Sequence, residues 1–518
     1  MRRPALILSL LTATVLPLAP ASPATAAGAA AGAGTITWTP CQDDPSAECG
    51  ELAVPVDWDR PGGPTINLAL ARRKATGARI GSLVVNPGGP GGSGVDMVLR
   101  PDRFTPEVTS RFDLVGFDPR GVRRSHPVRC SAELARQAPD PLAVSGRAGF
   151  EALLAHNERY RRDCRARTGP LFDHVDTGSV VRDLEALRAA LGDQKLTYFG
   201  ASYGTMIGQL YAERYPRRVR ALALDGNMDH SLGIRAFLDT ESRAAQESFD
   251  EFAAWCGRTA SCALHGRDVR AVWAGLLERA AKGELTAPGE PDEPAPPLTR
   301  PALMREALRA FQRPDYSHLA RFLAALDSGE PVARTADGRK NGEPLDPAGQ
   351  DEAVSDPWRV FCLDYLLPVR DHREYAAHLR RSAGIAPDML ISPLAHSALA
   401  TCAGTPAPIP NPQHRLRVHG TPPLLLVNSL HDPVSPHGWA VAAARQIGPA
   451  ARLLTYEGWG HGVYDRSDCT ASAVDRYLIE LRLPAVGARC PAVPQPGGEA
   501  ERRVGSTPPS GSPGYIPA

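Results

Sequence analysis

Gly200-Ala201-Ser202-Tyr203-Gly204 stands between a short apolar run, Leu196-Thr197-Tyr198-Phe199, and a helix-forming run, Thr205 to Tyr215. A G-x-S-x-G in that setting demands a buried strand, a strained tight turn and a helix in succession, with the serine at the turn. Small residues at its ends keep Cβ atoms out of a crowded bend. The Ser202 hydroxyl then projects at the carboxyl edge of a sheet, over a helix amino terminus that favours negative charge. Three fixed positions also recur by chance in a chain with 48 glycines, so the motif acquires meaning only from its surroundings.

A second strand, Gly81 to Val85, runs directly into Asn86-Pro87-Gly88-Gly89-Pro90-Gly91-Gly92-Ser93-Gly94. Acyl transfer at a serine needs two N–H donors for the developing oxyanion, one from the residue after the nucleophile and one from a glycine-rich loop after an earlier strand. The expected donors are Tyr203 and either Gly88 or Gly89. The same loop formally matches G-x-G-x-x-G, with Asp113 and Asp118 at a distance suited to a ribose. Pro90 counts against that dinucleotide reading, because it removes an N–H from the loop.

The serine also needs a base and an orienting carboxylate, ordered acid then histidine towards the carboxyl end. Pro423 to Val427 reads as a strand followed by the loop Asn428 to Pro436, and Arg452 to Tyr456 as a last strand followed by Glu457 to Gly462. Asp432 and His461 thus fall on consecutive strand-end loops, and among 14 histidines only His461 has the required position. Asp225, at the end of the strand Val219 to Leu224, is the rival acid.

The ordered set of Asn-Pro-Gly-Gly-Pro-Gly-Gly-Ser-Gly (86–94), Phe117-Asp118-Pro119-Arg120-Gly121, Gly-Ala-Ser-Tyr-Gly-Thr (200–205), His431-Asp432-Pro433 and Gly460-His461-Gly462 resembles the secreted tripeptidyl aminopeptidase branch of the prolyl-iminopeptidase-like α/β-hydrolases. The resemblance runs from about Thr35 to Cys490. It implies a serine exopeptidase with a helical cap, without cofactor or metal, and carries the triad over to Ser202, Asp432 and His461. Two departures point away from a strict proline iminopeptidase: Pro87 stands where His precedes Gly-Gly-Pro-Gly, and Arg123 replaces a frequent glycine.

Met1-Arg2-Arg3-Pro4, the apolar run Ala5 to Leu18 and Ala24-Thr25-Ala26 read as a signal peptide over 1–26, predicting a secreted protein without stable membrane insertion. The even count of 10 cysteines fits an oxidising destination, with neighbours paired in order: 41–49, 130–164, 256–262, 362–402 and 469–490. No C-x-x-C or H-E-x-x-H occurs, which disfavours zinc. A net charge of +1 without a basic cluster disfavours nucleic acid.

Alternation of strands and helices over 35–227 predicts a mostly parallel α/β sheet, resumed over 397–490. Between them, 228–396 reads as an inserted helical cap, with helical stretches Arg235 to Trp255 and Val269 to Lys282. Within it Ala287 to Pro301 and Ala336 to Gly349 read as loops, and 491–518 as a disordered tail. A cap over the catalytic edge favours entry of a chain end. A buried ammonium needs a counter-charge, for which Glu241, Glu247, Asp250 and Glu251 are candidates, although a solvated helix face is the plainer reading of these four. The expected partners are peptides with a free amino terminus. A carboxylesterase with the same triad and a non-catalytic binding protein on the same scaffold are the alternatives.

Overall fold

The computed structural model describes residues 34–286, 297–329 and 353–494. The expected signal peptide, the segment 336–349 and most of the expected loop at 287–301 and of the tail lie outside the described residues.

One ten-stranded sheet organises the chain. Its strands are β1 (Thr39–Pro40), β2 (Glu48–Pro55), β3 (Thr65–Arg73), β4 (Gly81–Asn86), β5 (Phe112–Phe117), β7 (Leu196–Ala201), β8 (Val219–Asp225), β10 (Leu424–His431), β11 (Ala451–Trp459) and β12 (Arg489–Cys490). A separate two-stranded sheet joins β6 (Arg129–Ser131) to β9 (Ala353–Ser355). The order in the large sheet is β1-β2-β3-β5-β4-β7-β8-β10-β11-β12. The β1–β2, β2–β3 and β3–β5 pairings are antiparallel, and every later one is parallel. In β5 and β7 every residue is buried, as in strands covered on both faces. Clusters on either side do the covering, one holding Leu68, Leu184, Ile207 and Leu426, the other Leu83, Phe199, Leu425 and Tyr477.

The helices inserted between β8 and β10 fall into two groups. Helices Ile234–Arg258, Val269–Ala281, Arg300–Gln312 and Tyr316–Ser328 enclose a core of their own around Phe249, Phe252, Trp255, Trp273, Phe311 and Tyr316. Helices Trp358–Asp364, His372–Ile385 and Pro393–Cys402 instead supply Phe361, Tyr375 and Leu399 to the main core, beside Phe150 and Leu153 of helix Gly146–Thr168. A boundary at 396 therefore cuts the helix Pro393–Cys402. Strand β9 within the insertion, paired with β6, is a strand where only helices were expected.

All ten cysteines are joined in the expected pairs, Cys41–Cys49, Cys130–Cys164, Cys256–Cys262, Cys362–Cys402 and Cys469–Cys490, and none is free. Among the described residues no helix is long and apolar enough to cross a membrane.

Candidate active site

Ser202 occupies the turn between β7 and helix Tyr203–Arg214 with φ 55° and ψ −125°, a conformation costly for a non-glycine residue. Main-chain bonds hold it there: Ser202 N–H donates to Asp225 O (2.8 Å), and Thr205 N–H and Oγ1 donate to Ser202 O (2.8 and 2.6 Å). The motif glycines are steric requirements. A Cβ on Gly200 would lie 2.4 Å from Gly204 O, and one on Gly204 2.8 Å from Asn86 O.

The Gly-rich loop after β4 folds over this turn so closely that a Cβ on Gly88 would lie 2.3 Å from Ala201 O and 2.9 Å from Tyr203 N. Gly88 N–H is already given to Asn86 Oδ1 (2.9 Å), whereas the N–H groups of Gly89 and Tyr203 meet no acceptor among the described residues. Of the alternatives Gly88 and Gly89, only Gly89 retains a donor for a ligand. The remaining motif residues brace the loop and sheet. Asp118 accepts from Ser93 Oγ (2.5 Å) and Arg124 N–H (3.1 Å), while Asp113 accepts from Ala75 N–H and Arg79. Buried Arg120 grips Asp183 (2.6 and 2.7 Å) and the carbonyls of Pro55, Val56 and His174.

Asp432 follows β10 directly and is 2% exposed. Its carboxylate accepts from Val434 N–H and Ser435 N–H (2.8 Å each), Ser435 Oγ (3.0 Å) and His461 Nδ1 (2.9 and 3.0 Å). His461 is fixed in turn by its own N–H, which donates to Gln312 O (2.8 Å) at the end of an inserted helix. Burial disfavours the imidazolium, but the charge and hydrogen bond of Asp432, and Asp225 further off, more than offset it, leaving the His461 pKa raised. Ser202 Oγ is not hydrogen-bonded to His461, a contact that often closes only when substrate binds.

Asp225, the rival acid, does not touch the imidazole. Its carboxylate accepts from Val463 N–H (2.8 and 3.0 Å) and Tyr464 N–H (2.9 Å) and so anchors the loop carrying His461. Burial pushes its pKa up to about 6, against the pull of those two donors.

A cavity of about 70 Å³ opens on Ser202, lined by Gly89, Pro90, Met228, Phe237, Glu241, Trp358, Phe361, Leu394, Ala398 and Val434. The four acidic candidates part here. Glu241 lines the cavity, is 1% exposed, and accepts one hydrogen bond, from Ser392 Oγ (2.8 Å). Burial, only partly countered by that bond and reinforced by the charge of Asp432, pushes its pKa well above the ordinary 4.5. Glu247 instead meets His431 Nδ1 (2.6 Å), Asp250 meets Arg270 (2.7 Å), and Glu251 pairs with Arg258.

The family model of the alpha/beta hydrolase fold matches residues 81–467. The chain belongs to the α/β-hydrolase family. Over 489 residues this α/β-hydrolase is 36% identical to "Serine protease Hip1" of Mycobacterium tuberculosis, covering 88% of the chain and 91% of that protein. Over 501 residues it is 34% identical to "Carboxylesterase B" of the same organism (92% and 94%), and over 510 residues 30% identical to "Tripeptidyl aminopeptidase" of Streptomyces lividans (89% and 88%). These similarities place it in the serine peptidase branch, as a serine hydrolase.

Among the described residues, the group with metal-ligand spacing is Cys130, Cys164 and Asp356, whose sulfurs are locked in a disulfide and so offer no thiolate. Sequence reasoning missed three participants in this site. Ser435 Oγ bonds Asp432 and approaches His461 Nδ1 (3.2 Å), and only its place in Asp-Pro-Val-Ser hinted at it. The Gln312 carbonyl and the aromatic wall of Phe237, Trp358 and Phe361 come from segments remote in sequence and gave no local signal.

Proposed function

We propose that the protein is a secreted aminopeptidase that releases short peptides, tripeptides in the first instance, from free amino termini through an acyl-enzyme at Ser202. His461 takes the Ser202 proton and returns it to the leaving amine, and Asp432 holds the imidazole in the Nδ1–H tautomer. The carbonyl oxygen becomes negative as Oγ attacks, and the N–H groups of Gly89 and Tyr203 receive that charge. Water then cleaves the ester by the same relay.

The observation that carries the reading is Glu241: a carboxyl with one protein donor, closed off from water, in the same cavity as Ser202. An ammonium entering that cavity supplies the charge that favours the ionised Glu241 carboxylate, and the two form a buried pair. Helices inserted between β8 and β10 at the catalytic edge would admit a chain end rather than a strand lying across the site. An extended residue spans roughly 3.3–3.6 Å, so product mass reads out how many residues separate the ammonium from the scissile bond.

The test is a panel of aminoacyl, dipeptidyl and tripeptidyl chromogenic amides, each with a free and an acetylated amino terminus. Acetylation lowers kcat/KM by at least about tenfold if the ammonium contributes about 1.4 kcal/mol. Equal cleavage of free and blocked substrates overturns the aminopeptidase reading. It would favour the carboxylesterase reading, which the apolar lining of the cavity also suits.

A further inference from the structure

Arginines from three segments far apart in sequence converge beside the histidine loop. Arg100 and Arg103 follow helix Gly94–Leu99, Arg313 sits in the turn between the inserted helices Arg300–Gln312 and Tyr316–Ser328, and Arg466 lies five residues after His461. Asp465 lies in the field of Arg103, Arg313 and Arg466 and pairs with Arg103 Nη1 (2.9 Å). The guanidinium groups of Arg103, Arg313 and Arg466 are poorly compensated beyond that pair. Arg103 Nε is buried without a partner. Arg466 reaches main-chain oxygens only, Gly462 O (3.2 Å) and Gln312 O (2.8 Å). The guanidinium of half-buried Arg313 forms neither a hydrogen bond nor an ion pair among the described residues; only its main-chain N–H is bonded, to Arg309 O (3.2 Å). Its pKa is pulled down to about 10, chiefly by burial and also by Arg103, Arg466 and Arg100, with Asp465 acting the other way. Of the other acids at hand, Asp102 is exposed and Asp315 accepts the N–H of His318 (3.0 Å).

Several half-buried cations around one carboxylate repel one another in a medium that screens them poorly. An anion from outside would satisfy them, and its place relative to the chemistry follows from connectivity. Arg466 lies in the electrostatic field of His461, and Arg313 directly follows Gln312, whose carbonyl accepts the His461 N–H. Because histidine delivers its proton to the leaving amine, the leaving peptide departs on the side of His461, whereas the acyl part occupies the cavity of Phe237, Glu241 and Trp358.

We propose that Arg103, Arg313 and Arg466 form a carboxylate-binding subsite for the leaving peptide. It would receive an Asp or Glu side chain just after the scissile bond, or the terminal carboxylate of a short peptide. The inference rests on the peptidase reading of Ser202.

Peptides with one common acyl part and the leaving groups Asp-Ala-amide, Asn-Ala-amide, Ala-Ala and Ala-Ala-amide test it and separate the two carboxylate sources. At low salt, kcat/KM for a carboxylate-bearing member exceeds that of its amide partner by about fivefold to twentyfold, and the ratio shrinks as salt is added. Arg313→Gln brings the ratio close to one, Arg313→Glu inverts it and Arg313→Lys restores it. Arg309→Gln, which removes an outward charge paired with Glu306 on the same helix, keeps it. Equal rates for acid and amide with the wild-type enzyme, or a ratio that survives Arg313→Gln, overturn the subsite. If no peptide is cleaved, the peptidase reading fails by itself. The subsite is then judged by inhibition of p-nitrophenyl ester turnover: stronger inhibition by Asp-Ala-amide than by Asn-Ala-amide keeps it, and equal inhibition overturns it.

Discussion

The carboxyl edge of the sheet and the helices inserted between β8 and β10 treat their acidic residues in opposite ways. At the edge, Asp432 and Asp225 are met by main-chain N–H groups from their own or neighbouring loops, so each carboxylate is fixed before any ligand arrives. Among the inserted helices, Glu241 is equally buried yet has a single hydroxyl donor, and burial pushes its pKa up. The difference fits the two roles proposed above: donors on a rigid sheet preorganise charge for a reaction that is the same for every substrate, whereas an under-satisfied carboxyl would keep its full interaction for a cation that comes and goes.

The comparison breaks most severely at the edge. Ser202→Ala abolishes turnover and fluorophosphonate labelling, with a loss on the order of 10⁴- to 10⁶-fold and an unchanged fold by circular dichroism. A variant that still labels would move the nucleophile elsewhere.

Asp432→Asn comes next, with kcat reduced on the order of 10⁴-fold, because the amide no longer fixes the His461 tautomer. Asp225→Asn costs less, since Asp225 holds backbone rather than imidazole. The reverse ranking of kcat in the two soluble variants would make Asp225 the orienting acid. The raised His461 pKa adds a sign: neutral imidazole is the base, so kcat/KM falls as pH drops through a value above the ordinary 6.5. An acid limb centred below 6.5 contradicts the pair.

In the cap, Glu241→Gln lowers kcat/KM for free-amine peptides by at least about tenfold and barely changes it for acetylated ones. Stability moves the opposite way. A folded-state pKa raised above 4.5 gives a contribution that is complete below 4.5 and lost as pH rises through the folded value. Glutamine, neutral at every pH and still an acceptor for Ser392 Oγ, escapes that loss. The Tm gain of the variant therefore grows as pH rises above 4.5 and levels off beyond the folded value, read by calorimetry, and a difference that stays constant with pH would show that the Glu241 pKa is not raised. The smallest effects belong to Glu247→Gln and Asp250→Asn, whose partners are His431 and Arg270 at the surface. Each changes kcat/KM less than about twofold and stability by less than about 0.5 kcal/mol.

The sheet was legible because its strands are buried on both faces and read as continuous apolar runs, as in Leu83-Val84-Val85 and Leu424-Leu425-Leu426-Val427. Helix Gly146–Thr168 escaped notice for the converse reason: over 23 residues it buries only Phe150, Leu153, His156, Asn157 and Cys164, too thin a stripe to stand out. Among the four acids of the first inserted helix, no local signal separated Glu241 from Glu247, because facing the cavity or facing solvent depends on which helices pack alongside.

By itself the sequence determined what short-range sterics and order along the chain enforce. Glycines at 200 and 204 are the only residues that fit the turn carrying Ser202, and the succession of strand-end loops puts Asp432 before His461. Pairing each cysteine with its neighbour also needed no more than separations of 6 to 40 residues, over which loop closure is easy. Only the tertiary structure decided which carboxyl is stripped of water beside Ser202, which glycine N–H remains unused, and that Gln312 braces His461 from the cap. Desolvation and the satisfaction of individual donors are properties of what surrounds a group in space, and segments hundreds of residues apart supply those surroundings here.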